Sequence, residues 1–197
     1  MDDQYALTGL QLLYADTDTI KNYCRTNIVA RNICNNVDFW LEKFDNDNIP
    51  IIGLTITDRT TGNDYMKEYI KVIDAQRKAK DTIDLINKHP PNYRIINIGS
   101  INMEDSNFYK IVPIEYKYSL LIYKNKINKP ADVDITVDLI PNSRKNLLFN
   151  IIEYEPILYA SAKSFETHIA DVFDFLTKIF YYYPKMEIYN WKMEKLM

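Results

Sequence analysis

The chain has 197 residues, with 24 Lys and Arg against 27 Asp and Glu, a formal charge of −3. Apolar residues at 47% and charged residues at 26% suffice for one compact domain or two small ones and exclude general disorder. No basic excess exists to drive counterion release from nucleic acid, and no apolar run approaches the ~20 residues of a membrane span.

Residues 5–44 read as four short helices. Leu7, Leu10, Leu13 and Tyr14 recur at helical spacing before Asp16-Thr17-Asp18 breaks the pattern. Asp16 or Asp18 is then an N-cap for a second helix carrying Ile20, Tyr23 and Cys24. A third holds Ile28, Val29, Ile33 and Cys34 and ends at Asn35-Asn36; a fourth carries Val37, Phe39, Trp40 and Phe44. Asp45–Pro50 is a loop by composition, and Leu54–Thr57 has strand character. Tyr65 to Lys88 is the clearest helix, with Tyr65, Tyr69, Val72, Ala79, Ile83 and Ile86 on one stripe and His89-Pro90-Pro91 as its stop.

From residue 93 the period changes from 3.6 to 2. Strands are expected at Tyr93–Ile98, Tyr109–Tyr116, Tyr118–Lys124, Val133–Leu139, Leu147–Glu153 and Ile157–Ala160. The connections leave no room for crossover helices, so the strands should form an antiparallel meander. Ser164 should cap a helix over 164–183 that packs on this sheet, and Glu187–Trp191 has the character of an edge strand. The expected fold class is therefore α+β. The expected divisions are a helical module at 1–48, a linker and long helix at 49–92, and an antiparallel α+β domain at 93–197.

Chemistry is sparse. Asp132, Asp134 and Asp138 share one face of an alternating strand and could present carboxylates to a hard cation, but the alternation reads foremost as the solvated face of a half-buried antiparallel strand. Asp45-Asn46-Asp47-Asn48 opens like a calcium loop but has Pro50 and Ile56 where the motif needs Gly and Glu. His89 and His168 lie far apart, no phosphate-cradling loop can be built from four scattered glycines, and no nucleophile sits beside a base. The reading is a non-enzyme with neither cofactor nor metal. Phe180-Tyr181-Tyr182-Tyr183 lacks the basic groove of a single-strand binder and reads as packing. Cys24 and Cys34 read as small buried apolar residues rather than a disulfide scaffold. An acidic start with no apolar segment after it leaves the reducing cell interior as the default compartment.

Residues 6–44 resemble the F-box, the helical module that docks onto the Skp adaptor of cullin–RING ubiquitin ligases. The likeness runs from Leu10-Gln11-Leu12-Leu13 through Asp18-Thr19-Ile20 and Tyr23-Cys24-Arg25-Thr26-Asn27. It continues through Ala30-Arg31-Asn32-Ile33-Cys34 and closes with Asn36 to Phe44, including Phe39-Trp40. The Cys-x-Thr-Asn, Ile-Cys and Phe-Trp elements look most like F-box-like proteins of large DNA viruses. The abundance of Ile, Asn, Lys and Tyr over Gly and Ala fits such an AT-rich source. The Leu-Pro that usually opens the module is absent near Tyr5-Ala6-Leu7.

The resemblance implies a viral interaction protein that recruits a partner to a host ligase. Its partner-binding residues would be Leu10, Leu13, Ile20, Cys24, Ile33, Phe39 and Trp40, and its location the host cytoplasm. The alternative is a virion structural or assembly component with no ubiquitin link. A third reading is an enzyme using the Asp132/Asp134/Asp138 face.

Overall fold

Side-chain caps set the helix boundaries at the N-terminal end. In α1 (Asp3–Leu13) an acidic residue occupies the first turn, where it meets the positive end of the helix dipole. Of the two candidate caps for α2 (Thr17–Thr26), Asp16 takes the role: its carboxylate accepts the Thr19 N–H at 2.7 Å. Asn27 then both ends α2 and starts α3 (Ile28–Cys34), its side chain accepting from Val29 and Ala30. Asn36 caps α4 (Val37–Asn46) in the same way through the Asp38 N–H. The far end of α4 closes on Asn48, held at φ 51°, with Asn48 N–H on Asp45 and Ile49 N–H on the Phe44 carbonyl. That pair of bonds is a Schellman motif with Asn in the left-handed position, and buried Phe44 and Ile49 complete its apolar contact.

The computed structural model describes residues 3–88, 95–102, 104–112, 131–138, 146–153, 163–168 and 172–186, with side chains at 3–84, 101–102, 104–112 and 173–186. Its contacts fall into two units, Met1–Arg77 and Lys78–Met197. The boundary lies inside α5 (Gly62–Lys88), so the segment expected as linker and long helix is divided between them.

In the first unit an aromatic cluster forms the core. Trp40 is fully buried, edge-on to Phe39 at 5.2 Å between ring centroids and 5.5 Å from Tyr69. Phe44 lies 5.3 Å from Tyr69 and 6.4 Å from Tyr65, so α4 and the start of α5 share one apolar seam. The start of α5 is a reciprocal cap, in which Thr61 N–H donates to the Asp64 carboxylate and Asp64 N–H returns to Thr61 Oγ1. Leu54–Thr57 has no strand partner and runs as a loop, contrary to the expectation of a strand. The buried Glu68 carboxylate holds the neighbouring loop by accepting the Ile52 and Gly53 N–H groups at 2.9 and 2.8 Å.

The described side chains correct the expected fold class. Among residues with described side chains about 70% are helical, and the strand residues among them are Ile101 and Asn102. The body is mainly helical, not an α+β fold built around an antiparallel sheet. Beyond it, backbone ladders run antiparallel through β1 (Ile95–Asn102), β2 (Ala131–Asp138), β3 (Asn146–Glu153) and β4 (Lys163–His168) in that order, with a register shift at Asn97/Gly99.

Three further expectations change. Within the strand expected at Tyr109–Tyr116, the described residues form the short helix α6 (Phe108–Ile111) and Val112. The helix expected over 164–183 begins at residue 172, because Lys163–His168 is extended; it is α7 (Val172–Tyr182). The helical neighbour of α7 is α6, and Phe175, Leu176, Ile179 and Phe180 on one helix, with Phe108 and Ile111 on the other, are buried. The expected strands at 118–124 and 157–160 and the edge strand at 187–191 lie outside the described residues, as do the side chains of Asp132, Asp134 and Asp138.

Candidate docking groove and cysteine pocket

The resemblance-derived residues divide among three settings in the first unit. Ile20 and Trp40 are core. Leu10, Leu13, Ile33 and Phe39 come together along a groove of about 360 Å³ between α1, α3 and α4. Cys24 sits in a different pocket.

The groove follows from helical spacing. Tyr5, Ala6, Gly9, Leu10 and Leu13 fall on one face of α1, and small residues at 6 and 9 leave room beside Ile33. A Cβ placed on Gly9 would sit 3.9 Å from Ile33 Cδ1, in ordinary contact. Phe39 from α4 forms the opposite wall, rimmed by Asp38 and Glu42. Leu10 is 55% exposed and Leu7 58%, while Leu13 at 8% is buried and contributes only an edge to the groove. The sequence reading named the larger apolar residues but not Tyr5, Ala6, Gly9 and the acidic rim. The 5-6-9-10-13 spacing was the available signal.

At the C-terminal end of α1 lies an ion cluster that spacing did not suggest. Lys43 is 2% exposed, and its ammonium donates to the Leu13 carbonyl at 2.6 Å, the Ala15 carbonyl at 3.1 Å and the Asp47 carboxylate at 2.8 Å. It thereby caps the C-terminus of α1, where orphan carbonyls and the helix dipole favour a cation. The Tyr69 hydroxyl donates to the same Asp47 carboxylate. Burial pushes the Asp47 pKa up, but hydrogen bonds from Lys43, Tyr69 and Asn46 outweigh it and leave the carboxyl below its ordinary value. Burial, and next the hydrogen bond to the Asp47 carboxylate, push the Tyr69 phenol up.

The second pocket, about 380 Å³, is lined by Lys21, Cys24 and Arg25 of α2, Arg31 and Cys34 of α3, and by Asn35, Asn63 and Met66. Here the expectation of two separate buried thiols is corrected: Cys24 and Cys34 form a disulfide, with Cα atoms 6.1 Å apart. The reason is the turn at Asn27, which packs α3 against α2 and brings the two cysteines within bonding reach. Arg31 locks the turn by donating to the Arg25 carbonyl at 2.7 Å and the Cys24 carbonyl at 3.4 Å. Behind the pocket, a Cβ on Gly62 would meet the Asn35 and Cys34 backbone at 2.4–2.6 Å, so only glycine lets α5 start so close to α3.

Among the described residues no group of His, Cys, Asp or Glu is arranged to hold a metal, and no helix is long and apolar enough to cross a membrane. Comparison with family models, with curated proteins and with solved structures finds no match to this chain.

Proposed function

We propose that this protein is a non-enzymatic interaction module, an F-box-like adaptor that seats an apolar segment of a partner in the α1/α3/α4 groove. The observation that carries this reading is the groove itself: exposed Leu10 stands over a floor of Leu13, Ile33 and Phe39, with Asp38 and Glu42 on one rim. An exposed leucine above an apolar floor is a surface that a partner covers. The acidic rim favours a partner helix carrying Lys or Arg beside its apolar anchors. Such a module contributes no chemistry of its own; it raises the effective concentration of one protein near another. The F-box resemblance of residues 6–44 supplies the candidate partner, a Skp-type adaptor of a cullin–RING ligase.

The test is calorimetric titration of the full chain with purified Skp-type adaptor, beside Leu10→Asp and a Glu42→Lys variant. A micromolar complex is expected, weakened at least about tenfold by Leu10→Asp, since one half-exposed leucine is worth about 1–1.5 kcal/mol on full burial and the new carboxylate adds a desolvation cost. Absence of any complex with the intact chain at tens of micromolar would reject the ligase reading. A complex indifferent to both substitutions would reject the groove.

A further inference from the structure

We infer that the Cys24–Cys34 disulfide is a thiol-exchange site for a small anionic thiol, which enters through the cationic pocket. Two features of one pocket point there. The bonded cysteines line a cavity of about 380 Å³, large enough for a small molecule, instead of lying in the closed aromatic core. The same cavity is lined by Lys21, Arg25 and Arg31, and by no carboxylate. Among the described residues, the carboxylate paired to these side chains is Asp18, which is exposed and 3.8 Å from Lys21. Cations in this position favour the approach of a negatively charged thiolate and stabilise the thiolate that leaves.

The exchange is written with Cys24 as the sulfur attacked, the more accessible of the two. The incoming thiolate R–S⁻ forms a bond to Cys24 Sγ as the Cys24–Cys34 bond breaks, and the electron pair of that bond leaves on Cys34 Sγ. Arg31, one helical turn before Cys34 and lining the same pocket, stabilises this anion. A second thiolate attacks the external sulfur of the mixed disulfide, releasing R–S–S–R and the Cys24 thiolate. Water protonates both protein thiolates. In sum, two thiols are oxidised to one disulfide and the protein gains two electrons and two protons.

The experiment uses the full chain, first treated with the disulfide of 2-mercaptoethanesulfonate so that the internal bond is complete. It is then mixed with 2-mercaptoethanesulfonate, 2-mercaptoethanol or 2-aminoethanethiol at matched thiolate concentration, and quenched samples are weighed by mass spectrometry. The expected result is an adduct on Cys24, formed about tenfold faster with the anionic than with the cationic thiol. That preference should shrink with added salt and fall within about twofold in a Lys21→Ser, Arg25→Ser double variant, whose substituted side chains lie outside the core. The inference is overturned if the internal disulfide does not form under these conditions. It is equally overturned if the three thiols react at the same rate, or if the double variant keeps the full preference. Peptide mapping of the intact chain that places the adduct on Cys34 overturns the assignment of the attacked sulfur.

Discussion

Trp40 is where the packing of the first unit can be tested most sharply, because two substitutions separate its two contributions. The indole is fully buried against Phe39 and Tyr69, and its Nε1–H donates to the Cys34 carbonyl at 2.7 Å. Trp40→Phe keeps most of the ring but removes the donor. It leaves a buried carbonyl without that bond, at a cost of about 1–3 kcal/mol, and a modest void besides. Trp40→Ala empties the site and should cost about 3–5 kcal/mol, the lost bond included. Against a total stability of roughly 5–15 kcal/mol, the alanine variant should bring the unit close to unfolding at room temperature. Hydrogen exchange followed by mass spectrometry is the assay, because it reads the opening of residues 28–46 without assuming that both units unfold together. Protection there should drop by about tenfold or more in Trp40→Phe and by several hundredfold in Trp40→Ala. Equal, near-native protection in both variants would refute the idea that this indole clamps α4 to α3.

Three other outcomes are expected. Lys43→Met should destabilise the first unit by about 3 kcal/mol in urea melts, since it strands the α1 carbonyls and Asp47, whereas Arg77→Ala, which breaks an exposed pair with Asp74, should stay within about 0.5 kcal/mol. The folded-state Asp47 pKa lies below the unfolded value of 3.8 and that of Tyr69 lies above 10.0. Stability from Asp47 is therefore complete above pH 4 and lost as pH falls through its folded pKa, and that from Tyr69 is present below pH 10 and lost above it; melting temperatures across both windows, with Asp47→Asn as control, check the signs. Gly62→Ala should cost about 1–3 kcal/mol despite alanine's better helix propensity, because its Cβ would overlap the Asn35 and Cys34 backbone; a stabilised variant in a thermal melt would contradict that close approach.

Local chemistry made much of the first unit readable. Caps at Asp16, Asn27 and Asn36 act within three residues of themselves, and the stripe at Tyr65, Tyr69, Val72 and Ala79 repeats every turn, so neighbours in the chain carry the information. Phe39, Trp40 and Phe44 recur within the fourth helix at a spacing legible in the sequence, and all three are buried. The period-two segments fixed which residues share a face of a strand, but alternation says nothing of how much of the described chain is helical. Phe108 to Ile111 alternate poorly enough to wind into a turn of helix, and α7 then finds that turn as its helical neighbour.

What spacing could not supply were the contacts between residues distant in the chain. Lys43 reaches carbonyls 28 and 30 residues away, and nothing in a lone lysine on an amphipathic turn distinguishes one that caps another helix from one in water. Two cysteines ten residues apart bond only because the turn at Asn27 packs α3 against α2. The groove likewise needs α1 laid across α3 and α4 before Leu10, Ile33 and Phe39 share a surface. Helix starts, stops and apolar faces are set by forces that act over a turn or two of chain. Which faces meet, and which charge is buried between them, is settled only when the helices pack.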